Sequence, residues 1–123
     1  MLNEWTFGEF ITAKRKQAKI SLREFAKMAS FSPAYISQIE SGKRPAPALN
    51  SQNKIADILN LCEADRIVMF DLAAKTKTRN PIPADIAEYI KNDEQVQQFL
   101  RYAINNKYTG MDLLKLLRNG NEL

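Results

Sequence analysis

The stretch SLREFAKMASFSPAYISQIESGKR, residues 21–44, constrains this chain more than any other, because its local signals read as two short helices joined by a tight turn. Ser21 can cap the first helix, with Glu24 three residues on to complete a capping box ahead of the apolar set Leu22, Phe25, Ala26 and Met28. That helix should stop near Ala29. Ser32 is a second N-cap candidate and Pro33 follows at the first helical position, where its missing N–H has no intrahelical acceptor to lose. Ile36 and Ile39 give the second helix a buried side. Gly42 then supplies the residue that most readily takes positive φ past a helix end, and Lys43 and Arg44 follow at once.

The outward face of the second helix is short, polar and neutral: Ser32, Ala34, Ser37 and Gln38. Small polar groups outward, cations just past the helix end and a second helix braced behind it suit insertion into a DNA major groove. Residues 9–60 resemble the helix-turn-helix regulators typified by lambda repressor and Cro, also called the xenobiotic-response-element family. The resemblance is carried by Phe25-Ala26, Ser32, Tyr35-Ile36-Ser37, Ile39-Glu40, Gly42-Lys43-Arg44, Pro47 and Lys54-Ile55-Ala56. It implies an all-α chain: a five-helix lambda repressor-like DNA-binding domain followed by a short C-terminal helical dimerisation region.

Three positions depart from the family pattern. Leu22 stands where a phosphate-binding Gln is usual, so that contact is not carried over. Ser30 stands where the turn usually has Gly, and forcing it to positive φ would cost roughly 1 kcal/mol or reshape the turn. Gln52 stands where Leu is common, which predicts a different start or packing for the helix that follows.

Net charge over the whole chain is +4, but residues 14–44 hold eight bases (Lys14, Arg15, Lys16, Lys19, Arg23, Lys27, Lys43, Arg44) against Glu24 and Glu40, a local +6. Positive charge therefore gathers on the motif, as a footprint on phosphate should. The resemblance implies base reading by Ser32, Ala34, Tyr35, Ser37 and Gln38, with the Gln38 amide able to pair with adenine and Ala34 able to meet a thymine methyl. Lys14, Lys16, Lys19, Lys43 and Arg44, with the backbone at Pro33, are the expected phosphate contacts. Arg15 has two readings, a DNA contact or a brace. In resembling proteins an Arg here pairs with the Glu that closes the recognition helix, Glu40 in this chain, and the brace is favoured.

Along the chain, Thr6 and Glu9 can box the start of a helix whose inner side is Phe7, Phe10, Ile11 and Trp5. Past the motif, Pro45 and Pro47 forbid helix continuation. A fourth helix is expected from about Leu49, with Ile55, Ala56 and Leu59 inward, and a fifth over 63–74, with Ile67, Phe70 and Leu72 to Ala74 in the core. The resulting division is a DNA-binding domain over 1–74, a polar, proline-bearing linker over 75–83, and a C-terminal oligomerisation or partner-binding region over 84–123. That last region should hold helices over 84–91, 94–105 and 110–118. Their apolar sets are too large for three short helices to bury alone, so they should pack on the first domain, on another copy or on both.

With 45% hydrophobic and 26% charged residues the composition is that of an ordinary globular chain. No apolar run approaches a bilayer span and the N-terminus lacks a basic start before a hydrophobic stretch, so a cytoplasmic location is expected. Cys62 is alone and His is absent, so no intrachain disulfide, ordinary zinc site or other cofactor is expected, and Cys62 reads as a buried or half-exposed small residue. Without His, a Gly-rich phosphate loop or a nucleophile setting, the chain does not read as an enzyme. By resemblance, the expected function is a repressor that binds a near-palindromic site on double-stranded DNA as a homodimer. The alternative is an antitoxin or adaptor whose C-terminal helices bind a partner protein: a toxin, a protease or an anti-repressor.

Overall fold

The first three helices begin where a side chain can take over an orphaned backbone N–H. Thr6 and Glu9 form a full capping box on α1 (Phe7–Gln17), and Ser21 and Glu24 form another on α2 (Leu22–Ala29). The Ser32 hydroxyl accepts from the Tyr35 N–H ahead of α3 (Pro33–Glu40), with Pro33 in its first turn. In the computed structural model, which describes residues 5–77 and 82–120, the further helices are α4 (Leu49–Ile58), α5 (Glu63–Lys75), α6 (Ala84–Lys91), α7 (Glu94–Asn105) and α8 (Gly110–Gly120). No strand occurs among the described residues. The fold is all-α, and residues 78–81 of the expected linker lie outside the described residues.

Contacts divide the chain into two compact units, Met1–Ala87 and Glu88–Leu123. The core of the first is Phe7, Phe10 and Ile11 from α1, Phe25 and Ala26 from α2, Ile36 and Ile39 from α3, Ile55, Ala56 and Leu59 near α4, and Met69, Phe70, Leu72 and Ala73 from α5. Helix α3 packs on both α1 and α2. Burial of Ile36 and Ile39 contributes about 1.5–3 kcal/mol each, enough to fix a helix that is too short to persist alone. Trp5 is half-buried and meets Phe10 edge-on at 6.3 Å.

The core differs from the sequence expectation at three positions. Ile67 is exposed and Met69 is fully buried in its place. At 100° per residue Ile67 lies about 200° around α5 from Met69, so the two cannot share a face. Met28 sits on the flank of α2 and is about half exposed. Gln52 is completely buried, and its Nε2 donates to the Pro47 carbonyl at 2.8 Å. In this way α4 keeps its expected start despite a polar residue where resembling proteins have Leu. Cys62, the residue preceding α5, is exposed.

The ends of the first three helices share one closure. At α3 the Gly42 N–H reaches Ile39 O and the Lys43 N–H reaches Gln38 O, with Gly42 at φ +82. The same paired closure ends α1 around Lys19 and α2 around Ser30, both at positive φ. It places Ile20 and Phe31 against the helices they leave. Ser30 adopts φ +61, ψ +39, so the turn between α2 and α3 keeps the shape that Gly usually gives it, at the cost of left-handed strain. No helix among the described residues is long and apolar enough to cross a membrane.

In the second unit, Asp93 caps α7 through the N–H groups of Gln95 and Val96, and Thr109 and Asp112 cap each other at the start of α8. Ala103 is buried, while Tyr89, Phe99, Tyr102, Ile104, Met111, Leu114, Leu116 and Leu117 are exposed.

Relief of the strain at Ser30 gives a directional prediction. Ser30→Gly should raise stability by about 0.5 kcal/mol, the relief being partly offset by the freer unfolded chain, whereas Gly42→Ala should lower it by about 1 kcal/mol. Urea unfolding of both variants checks this; stabilisation by Gly42→Ala would contradict it.

Candidate functional site

Helix α3 turns Ile36 and Ile39 inward, and its opposite side is open: Ser32, Pro33, Ala34 and Ser37 are exposed, while Tyr35 and Gln38 are half-buried. The Ser32 hydroxyl is already engaged by the Tyr35 N–H at 3.1 Å, which leaves it one further lone pair and its proton.

The helix is positioned chiefly at its last residue. Arg15 forks onto Glu40, Nε to Oε2 at 2.7 Å and Nη2 to Oε1 at 3.1 Å, with both side chains about nine-tenths buried. A third donor of Arg15, Nη1, reaches the Ile20 carbonyl at 2.9 Å. Two parallel charge-assisted bonds fix orientation as well as distance. Seven residues closer to the start of α1, about two helical turns away, Gly8 permits an equally specific contact. A Cβ there would fall 2.3 Å from the Glu40 carbonyl oxygen and 2.6 Å from that of Ile39, so only Gly lets α1 approach the end of α3 this closely. Sequence reasoning missed Gly8, because a glycine inside a helical pattern does not show what packs against it.

The cations singled out in the sequence do not form one set. Lys14 lies over the Phe10 ring and donates to Asp65 at 2.8 Å. That hydrogen bond, opposed by partial burial, holds the Asp65 carboxyl below its ordinary value. A depressed folded pKa adds stability above the unfolded value that is lost as pH falls through the folded one, so this link supports the unit at neutral pH and fails in acid. Lys16, Lys19 and Lys43 are exposed.

Arg44 folds back on α3. Its Nε donates to the Gln38 side-chain oxygen, its guanidinium lies 5.7 Å from the centroid of the Tyr35 ring, and its backbone N–H points to the Gln38 carbonyl at 3.3 Å. Tyr35 in turn packs on Phe31 at 4.6 Å between ring centroids. Tyr35, Gln38 and Arg44 are thus one cluster, invisible in a sequence where Arg44 lies beyond the helix end. The connector after it is fixed from two sides. Thr76 Oγ1 accepts from the Ala46 N–H at 2.9 Å, and Gln52 reaches Pro47 O.

Removing one member of the buried pair should cost far more than removing both. Arg15→Met should destabilise by about 3 kcal/mol, and addition of Glu40→Leu should recover most of that loss. Denaturant midpoints of the single and double variants test this; a double variant as unstable as the sum of the singles would contradict it.

Residues 11–67 match the helix-turn-helix family model. No curated protein and no solved structure matches the chain.

Proposed function

From the match of residues 11–67 to the helix-turn-helix family model, we propose that this chain is a lambda repressor-like, DNA-binding transcriptional regulator, a repressor that binds a near-palindromic operator as a homodimer. The observation that carries the reading is the open face of α3. It is free of acidic groups, presents small polar side chains, and is held rigidly from behind through Glu40. In this reading Ser32, Ala34, Tyr35, Ser37 and Gln38 meet base edges in the major groove, while Lys16, Lys19 and Lys43 hold phosphates and set register. Lys14 has a smaller part, because its ammonium is engaged by Asp65.

One eight-residue helix covers few base pairs, so affinity and specificity call for a second copy about 34 Å away along the duplex. The exposed apolar side chains of α7 and α8 support a protein contact in the second unit, with a second copy as the occupant. The same side chains would serve an antitoxin or adaptor that holds a toxin, a protease or an anti-repressor. Light scattering on the purified chain separates the two readings. A particle of twice 14.0 kDa supports the homodimer, and a monomer that stays single on DNA supports the alternative.

Selection of bound duplexes from a random pool tests DNA reading itself, and two spaced half-sites are the expected result. Gln38→Ala should relax preference at one base pair of each half-site. Lys43→Ala should weaken binding to all sequences alike and reduce the salt slope by about one phosphate contact. Equal losses for Gln38→Ala on selected and random duplexes would remove Gln38 from the reading face.

A further inference from the structure

Arg44 follows the recognition helix as its second cation, where a phosphate contact is the ordinary assignment, yet its side chain is not extended towards a strand. It is anchored on Gln38 and Tyr35. We propose that Arg44 and Gln38 act as a single base-reading unit that selects guanine, with Arg44 orienting the Gln38 amide. The inference rests on the reading of α3 as the helix that enters the major groove.

The argument begins with donor and acceptor chemistry. A guanidinium can only donate, so the amide atom that faces Arg44 Nε must be the oxygen of Gln38. The Gln38 NH2 group then points away from Arg44. A freely rotating Gln can offer adenine an acceptor for N6 and a donor for N7, and Arg44 takes one of the two lone pairs of that oxygen and fixes its direction towards itself. With the oxygen turned towards the guanidinium, donors outnumber acceptors on the unit: the Gln38 NH2 and the remaining N–H groups of Arg44 stand against one free lone pair. An edge that carries only acceptors suits them, and guanine with N7 and O6 side by side is the purine that has one.

The geometry also explains why Arg44 does not swing away. Its guanidinium carbon lies 5.7 Å from the centre of the Tyr35 ring, within the range of a cation–π attraction, a kind of contact made more often by guanidinium than by ammonium. Tyr35 is itself supported by Phe31. Ser41 Oγ and the Lys43 and Arg44 N–H groups converge on the Gln38 carbonyl, so the backbone from which Arg44 returns is fixed at the same residue. The residue pairs are spaced so that Tyr35 and Gln38, three apart on α3, lie on one helix face beneath the returning side chain.

The experiment uses the full chain and random-pool duplex selection on the unchanged protein, Gln38→Ala and Arg44→Lys, with thermal unfolding confirming that each variant is folded. Gln38→Ala identifies the base pair that Gln38 reads. The unchanged protein should prefer guanine there by roughly 5- to 150-fold. Arg44→Lys keeps the charge but loses the planar fork, so it should move preference at that same pair towards adenine while the salt slope stays the same. An unchanged base preference in Arg44→Lys overturns the proposal and leaves Arg44 as a phosphate contact. Adenine preference in the unchanged protein overturns it too. If the unchanged protein selects no sequence at all, the major-groove reading of α3 fails, and this inference fails with it.

Discussion

Glu40 is held at both its side chain and its backbone by α1, and the placement of α3 depends on that double grip. Arg15 takes the carboxylate through two bonds, and Gly8 of the same helix lies against the carbonyl. Because Arg15 also donates to Ile20 O, just ahead of α2, one guanidinium ties together the end of α1, the entry to α2 and the exit of α3. An eight-residue helix has little stability of its own in water. Its direction is therefore set by tertiary contacts, with Ile36 and Ile39 supplying burial and Glu40 supplying orientation.

The exit from α3 is built with equal economy. Pro45 and Pro47 stiffen the connector but contribute no N–H, and buried carbonyls beside prolines need partners from elsewhere. Gln52 meets the Pro47 carbonyl from within α4, and Thr76 at the end of α5 takes the Ala46 N–H. A fixed connector keeps Lys43 and Arg44 close to the open face of α3, where small changes in their placement would alter what a ligand meets. The polar residue at position 52 is thus part of how the site is held.

Much of the fold was legible because its signals are local. The capping boxes of Thr6 with Glu9 and Ser21 with Glu24, the Ser32-Pro33 start and the Gly42 stop depend on residues within a few positions of one another, and they fix helix limits without knowledge of packing. Features set by distant partners were not legible. The phase of α5 was misjudged at Ile67, because a helix with apolar residues on several sides does not show which side meets α1. Gln52, in place of a common Leu, pointed to a changed start or packing of α4, and only its partner, the Pro47 carbonyl, shows how the polar group is accommodated. Lys14 looked like a free cation, although Asp65, far along the sequence, takes its ammonium. The turn of Arg44 back onto Gln38 depends on the exact path of the chain past Gly42, which no periodicity encodes.

These elements combine in one arrangement: a neutral polar face on α3, fixed from behind by buried contacts and flanked in sequence by exposed lysines. Its central claim is that this face lies against base edges. The most direct measurement is a backbone and side-chain NMR titration of the isotopically labelled chain with the tightest duplex recovered by selection. The account predicts the largest shifts at residues 32–38, at Lys43 and at the Gln38 side-chain amide. Tight duplex binding with these signals unmoved and the changes confined to α7 and α8 would contradict it.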